Sequence, residues 1–408
     1  RALRMLETAP RESSPAENRQ DLERGLLVTL GNSLLAGKGF GTQEVQNIFT
    51  RARQLCMGDS PRLFAPLWGL QTYFGSRLEL ESANDISVQL LRLAENSEDP
   101  SVRGIAHFGA GVPLYLSGDL AAAKTHFEQF REFDDPAIRA AGARRFGLEP
   151  GIMLRAFDAR VLFWRGCPVQ YQREADEVLA MARALAHAPT LAFVIAMAVT
   201  TEQWHGNVDR VDALAKDLVA LGNEHGMQVW LSEGSVFEGW VQTQRSRDSS
   251  IGLEKMRQSL ADYAATGTQM FRPIGYAILA DAYRSSGRFA EGMQVLSEAR
   301  ATPWGGPDCT IIYTAELVRV EGELLAASGD IKGAEERLTR SLEMARHQQL
   351  RPSELRAAIG LSRLWKAQQQ GERARKTLTE IYATFSEGFD YADLKIAQAE
   401  LQSLPPSV

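Results

Sequence analysis

The sequence predicts an all-α fold, a right-handed superhelix (α-solenoid) of about nine helix pairs plus a C-terminal capping helix. Three observations predict it. Apolar residues recur with helical periodicity along nearly the whole chain, strand-type alternation is almost absent, and short glycine-containing turns recur at a nearly constant interval. Repetition with a period of about 20–50 residues is typical of solenoids, in which each unit is one supersecondary element stacked on its neighbours.

The helix pair is clearest around residue 280. Pro273 suits the first turn of a helix, where its missing N–H is not needed. Apolar residues then follow with helical spacing up to Ala282, Ser286-Gly287 interrupts the pattern, and a second amphipathic helix begins at Phe289. The predicted unit is therefore helix, glycine turn, helix.

The same unit recurs along the chain. Intervals of 40–48 residues separate the matching turns, which are Ser117-Gly118-Asp119, Arg165-Gly166, His205-Gly206-Asn207, Ser246-Arg247, Ser286-Gly287-Arg288, Ser328-Gly329-Asp330 and Gln370-Gly371-Glu372. Two further pairs precede the first of these turns, and a last helix is expected from Asp390. We therefore expect a helical array over residues 1–389 and a capping helix with its tail over residues 390–408, in one continuous solenoid.

Composition limits the possible functions. The chain has 408 residues, a net charge of −6 and a pI of about 5.7, which argues against a nucleic-acid binder held by bulk charge. Its three cysteines form no C-x-x-C motif, so we expect no disulfide framework or zinc site, and a cytoplasmic location. The most apolar run, Ala188 to Val199, is shorter than the ~20 residues of a membrane span. Because the chain opens at Arg1 without methionine, we expect it to be part of a longer protein.

The side chains within each unit identify the repeat. Tyr276, Leu279-Ala280 and Tyr283 precede the turn at Gly287, and Phe289 and Ala299 follow it. This arrangement of aromatic, small and large residues resembles the tetratricopeptide (TPR) pattern. The interval of about 41 residues departs from the standard 34-residue unit, so each pair has longer helices or loops.

The whole chain also resembles the C-terminal TPR region of large bacterial signalling ATPases. The segments that carry this resemblance are Gly37-Lys38-Gly39-Phe40 with Glu44-Val45, Trp68-Gly69-Leu70, Glu149-Pro150-Gly151, Leu361–Trp365, and a closing run of Ile381-Tyr382, Phe385–Asp390, Ala392-Asp393-Leu394 and Ala397. In such proteins an adenylate/guanylate cyclase or winged-helix output domain and an ATPase precede the array. The resemblance implies that the array senses an inducer, as in the maltose-type activators.

Signatures of catalysis are weak in this sequence. Gly31 to Gly39 resembles a phosphate loop but has the wrong glycine spacing and no Ser or Thr after Lys38, so we read it as a helix end and a turn. No zinc-type histidine pair or G-x-S-x-G motif is present, and we expect no enzymatic activity, cofactor or metal in this chain. Arg155, Asp158 and Arg160 form the one polar cluster. We expect Arg155 and Asp158 to pair along the helix, as part of a structural network or of a polar floor for a ligand.

A series of tryptophans gives the one positive indication of a binding site. Trp164, Trp204 and Trp240 fall late in the first helix of three consecutive pairs. In a TPR array the first helices line the concave face, where aromatic side chains can bind a peptide or small ligand. The expected groove residues are Arg160, Trp164, Thr200, Trp204, Trp240, Asp281, Arg284, Arg319 and Glu323. The alternatives are that each tryptophan belongs to the core between repeats and that the charged residues form a solvated face.

These observations predict a non-catalytic region that binds a protein segment, peptide or small-molecule inducer in its concave groove and regulates an attached ATPase, cyclase or transcriptional output domain. Such regulation requires a ligand that binds one of two conformational states more tightly. No nucleic-acid or membrane partner is expected. A free-standing protein scaffold and an enzyme built on a helical array remain as alternatives.

Overall fold

The computed structural model describes residues 16–37, 39–56, 60–131, 149–246, 248–306 and 310–405. Within these ranges the chain forms one short 3-10 helix, Ser60–Leu63, no strand, and nineteen α-helices. The expected start of the array at Arg1, Lys38, the turn residue Arg247 and Cys309 lie outside the described residues. The α-helices, numbered α1 to α19 in chain order, are Ala16–Gly37, Gln43–Gln54, Phe64–Ser76, Leu80–Glu95, Pro100–Ser117, Leu120–Arg131, Pro150–Trp164, Pro168–Leu185, Ala188–His205, Val208–His225, Gln228–Arg245, Ser250–Ala265, Arg272–Ser285, Phe289–Arg300, Thr314–Ala327, Ile331–His347, Arg351–Ala367, Gly371–Tyr382 and Ala392–Ser403.

Within the described residues the helices follow one another as nine antiparallel pairs and a last single helix, so the predicted α-solenoid is confirmed. Local sequence signals set many of the boundaries. Pro273 occupies the first turn of α13, and the Asp99 carboxylate accepts a hydrogen bond from the Ser101 N–H at the start of α5. Gly118 and Gly206 end α5 and α9 in the left-handed conformation, at φ +87° and +71°. No helix among the described residues is both long and apolar enough to cross a membrane.

From the second pair onward, half or more of the residues of each first helix are buried, whereas the second helix is amphipathic. In α9 nearly every residue from Ala192 to Val199 is buried, and in α10 the buried residues recur on one stripe. One core cluster runs from Leu34 to Leu350, and a second runs from Leu338 to Leu404. The first helices therefore form the inner layer of the superhelix.

Distant repeats also touch, which is not expected of a solenoid whose repeats contact only their neighbours. The Gln269 and Met270 N–H groups donate to the Ser76 carbonyl at 2.8 and 3.1 Å, and the Ile312 N–H donates to the Leu116 carbonyl at 2.8 Å. These bonds join segments that are about five repeats apart along the chain. Successive turns of the superhelix are therefore in contact, and the expectation that repeats touch only their neighbours is wrong.

Glycine makes one of these contacts possible. The backbones of Gly41 and Gly267 approach so closely that a Cβ built on Gly41 would lie 2.3 Å from the Gly267 carbonyl oxygen. Gly267 also has a φ of +77°, which side-chain-bearing residues rarely adopt. A larger residue at either position would therefore separate the loop after α1 from the loop after α12.

The C-terminal helix α19 covers the end of the array, although it begins later than expected. Asp390 lies in the preceding turn, and the helix begins at Ala392 with Tyr391 as its N-terminal flanking residue. The centres of the Tyr391 and His205 rings lie 4.3 Å apart. The residue just before the helix therefore contacts a distant repeat. Leu394, Ala397 and Leu404 are buried against the array, while Leu401 is half-buried.

Candidate functional site

The predicted tryptophans lie inside the superhelix. Trp164, Trp204 and Trp240 are 0%, 3% and 7% exposed, so their faces are covered by the protein itself. The Trp164 and Trp204 rings meet edge to face at 5.2 Å, and the Trp164 Nε1–H donates to the Tyr115 hydroxyl at 2.8 Å. Among the described residues Trp240 makes no ring contact with the other two. Any role of this series in partner binding stays a prediction.

Arg160 lies one helical turn before Trp164 on α7 and is 4% exposed. One guanidinium nitrogen, Nη2, donates to the Tyr313 hydroxyl at 2.8 Å, and Nη1 approaches the Met197 sulfur at 3.3 Å. The Nε–H has no acceptor, and within the described part of the chain the guanidinium forms no ion pair with a carboxylate. Arg160 is therefore a buried cation whose neighbours are neutral.

A buried carboxyl group faces the same space. Glu233 on α11 is 5% exposed and lines an interior cavity of about 30 Å³ together with Arg160, Thr200 and Tyr313. Burial raises the pKa of Glu233 to about 8, against the opposing effect of the Arg160 charge. At neutral pH the cavity therefore holds the Arg160 guanidinium and a Glu233 carboxyl that is mostly protonated. Within the described residues no ion pair joins the two groups.

A second, apolar cavity adjoins the first. It has a volume of about 60 Å³ and is lined mainly by side chains of α3, α5 and α7, with Phe157, Phe193 and Met270 shared between the two cavities. Trp68, Phe108 and Met153 contribute to its wall. The interior therefore combines one polar compartment with one apolar compartment.

The charged residues expected on the concave face are joined in one network. Arg284 pairs with Asp281 at 2.8 Å and Glu323 at 3.1 Å, and Arg319 pairs with Glu323 at 2.6 Å and with Glu316 at 2.7 Å. Burial alone would raise the pKa of Glu316, but Arg319 and a further arginine hold it below the ordinary value. The expected residues are thus brought together, paired with one another.

That further arginine, Arg356 on α17, connects the network to the next turn of the superhelix. It pairs with Glu316 at 3.1 Å and with Asp393 at 2.6 Å. Its guanidinium lies 4.1 Å from the centre of the Trp204 ring and donates to the Trp204 carbonyl at 2.8 Å. Arg356 therefore links α9, α15, α17 and α19.

The expected pairing of Arg155 with Asp158 is wrong. Asp158 instead accepts from Lys124 at 2.7 Å and from Arg131, while Arg155 lies within 3.4 Å of both Glu174 and Glu177. Both sets of partners lie on adjacent helices, because the two side chains point to different neighbours of α7. Within the described residues, no group of three or more His, Cys, Asp and Glu side chains has metal-binding geometry.

Sequence reasoning missed Glu233, Tyr115, Tyr313 and Arg356. Glu233 carries a signal that could have been used, since it is the one carboxylate between Trp230 and Phe237 in an otherwise uncharged stretch of a first helix. Arg356 carries no comparable signal, because its partner Trp204 lies in a distant part of the sequence.

Comparisons with known proteins show the fold. Neither the protein-family models nor the curated proteins contain a match. Among solved structures, the crystal structure of a Rap protein complexed with competence and sporulation factor matches with a TM-score of 0.54 at 11% identity, covering 95% of this chain and 97% of that one. The P58(IPK) TPR domain (14% identity, 93% and 98% covered) and yeast Tom70 (11% identity, 93% and 96% covered) each match with a TM-score of 0.25. The Rap match shows a shared α-solenoid architecture.

Proposed function

We propose that this chain is a non-catalytic sensor region that binds a ligand inside its superhelix and passes the bound state to an output domain of the same protein. The observation that carries the proposal is the pair of buried side chains Arg160 and Glu233, which face one interior cavity without pairing with each other. The output domain would be the ATPase, cyclase or transcriptional domain that the sequence resemblance implies.

A purely structural role explains this pair poorly. Burying a charged group without a counter-charge costs several kcal/mol, so buried cations in cores are normally paired. Within the described residues Arg160 has a hydroxyl, a thioether and the Trp164 and Tyr313 rings as neighbours but no carboxylate partner, and its Nε–H has no acceptor. Polar groups that converge on a mostly apolar cavity are typical of ligand sites. The similar Rap protein is complexed with competence and sporulation factor, and a ligand complex on a related fold agrees with the proposal.

The packing around Arg160 offers a route for signal transmission. Its guanidinium lies 6.0 Å from the Trp164 ring, Trp164 packs on Trp204, and Trp204 packs on Arg356, which pairs with Asp393 of the last helix. A ligand that competes with Tyr313 for Arg160 would disturb this series of contacts. Ligand binding would then favour one arrangement of the turns over another, as a sensor requires.

Retention of compounds by the purified chain tests the proposal. The chain is mixed with a pool of small metabolites and short synthetic peptides, separated by gel filtration, and the retained compounds are identified by mass spectrometry. We expect at least one compound to be retained by the wild-type chain and by Arg155→Met, an arginine on the same helix outside the cavity, and to be lost in Arg160→Met. If no compound depends on Arg160 while the melting curves show folded protein, the sensor proposal is wrong.

The regulatory part needs a second measurement. In the parent protein, a retained compound should change the turnover of the attached ATPase or cyclase, and the Arg160→Met variant should lose this response but keep its basal turnover. A compound that binds through Arg160 and leaves the output unchanged would contradict the regulatory role.

A further inference from the structure

We propose that the interior cavity binds a small aliphatic monocarboxylate, with its carboxylate on Arg160 and its tail in the adjoining apolar cavity. This inference rests on the proposed function, because it names the ligand class of the same site.

Arg160 accounts for the carboxylate. A guanidinium stays charged at every physiological pH, and its planar edge donates two parallel hydrogen bonds to a carboxylate. In the structure, the Nε–H has no acceptor and Nη2 donates to the hydroxyl of Tyr313. A bound carboxylate would accept from Nε and would supply the negative charge that the described surroundings of Arg160 lack.

The other groups around the cavity favour a single negative charge. Tyr115 and Tyr313 line it with hydroxyl groups, and Tyr263 lies close enough to Glu233 to interact with it electrostatically. The buried Glu233 carboxyl is mostly protonated at neutral pH and can donate its O–H to the ligand. One guanidinium balances one carboxylate, whereas a phosphate dianion would leave a charge uncompensated and an ammonium group would be repelled by Arg160.

The neighbouring cavity accounts for a small apolar tail. It offers about 60 Å³ among aromatic and aliphatic side chains, and it shares Phe157, Phe193 and Met270 with the polar cavity. Met153 and Met270 on its wall are unbranched and adapt readily to a bound group. This space suits a short hydrocarbon chain, and a folded or extended peptide would not fit without separating the turns.

Calorimetric titration with hexanoate at pH 7 tests the assignment. We expect wild-type chain and Arg155→Met to bind hexanoate, and Arg160→Met to bind it at least tenfold more weakly. Hexanamide and hexylamine, which match the probe in size but lack the negative charge, should show no binding. Across acetate, butanoate and hexanoate the affinity should rise by about fourfold for each CH₂ group that is buried.

Two readouts keep the test informative if Arg160→Met fails to fold. Arg160→Lys retains the charge but loses the two-bond geometry, and should weaken hexanoate binding without abolishing it. In wild-type chain the affinity for hexanoate should fall as the pH rises from 6.5 to 9, because ionised Glu233 repels the carboxylate. Glu233→Gln should abolish this pH dependence.

Several results would contradict the assignment of a monocarboxylate ligand. Equal binding of hexanoate and hexanamide, binding of hexylamine, or binding only of a peptide with a free C-terminal carboxylate would each overturn the monocarboxylate assignment. If hexanoate fails while a pooled compound of other chemistry depends on Arg160, this inference alone is wrong. If no compound depends on Arg160, the proposed function fails as well.

Discussion

Glu233 links the interior cavity to a measurable stability effect. Its side chain is 5% exposed and its pKa rises from the ordinary 4.5 to about 8 on burial. The folded chain therefore keeps a proton that the unfolded chain releases above pH 4.5. Since the folded state binds more protons between these two values, stability falls as the pH rises from 4.5 to 8 and then levels off.

The size of the effect follows from the same two values. Each pH unit between them costs about 1.4 kcal/mol, so the full loss approaches about 5 kcal/mol and reaches about 3 kcal/mol at pH 7. Glu233→Gln keeps the shape of the side chain and removes the titration. We expect the free energy of unfolding of this variant, relative to wild type, to increase by about 2–3 kcal/mol between pH 5 and pH 7.

Urea unfolding and amide exchange at pH 5, 6 and 7 measure this difference, with exchange in α11 as the local readout. Glu224→Gln serves as the control, because its carboxylate is 73% exposed, and it should follow wild type at each pH. Parallel pH profiles for Glu233→Gln and wild type would refute the reasoning, since they would mean that Glu233 is already ionised in the folded chain at pH 5.

Three further predictions concern the contacts between turns and the end of the array. Arg356→Met should speed amide exchange in the last turn of α9 and in α19, because it removes the hydrogen bond to the Trp204 carbonyl and the ion pair with Asp393; unchanged exchange would contradict the link. Trp204→Ala should lower the free energy of unfolding by about 3–5 kcal/mol, since the ring is 3% exposed, and a nearly unchanged melting temperature would instead favour a groove role. Leu394→Ala should cost about 2–5 kcal/mol, measured as earlier melting and faster exchange of α17 and α18, and an effect confined to α19 itself would show that the helix is not a cap.

The helix pairs were predictable because their signals are local. Pro273 and Gly118 act within one turn of the helix that they begin or end, and the apolar periodicity needs only a short window. The inward direction of the first helices followed from the repeat pattern, and Arg160 and Thr200 do line the interior cavity. These features depend on neighbours within one or two repeats.

The contacts between turns were not predictable in this way. They depend on the small rotation between successive repeats, added up over about five pairs. A short stretch of sequence gives no information about that total rotation. The contact between successive turns also determines how far Trp164 and Trp204 are exposed. In an open superhelix both rings would line the groove, but here the next turn covers them.

The contact between successive turns also changes how the array should respond to a ligand. In a solenoid whose repeats touch only their neighbours, a local disturbance fades with distance along the chain. Here Glu387 accepts hydrogen bonds from the Val169 and Gln170 N–H groups at 2.9 and 3.1 Å, so the last turn of the chain contacts the fourth helix pair directly. A ligand that displaces Arg160 on α7 therefore acts on a helix pair that already contacts the C-terminal region through α8. The fourth helix pair and the C-terminal region can then shift together, without a signal that passes through every repeat between them.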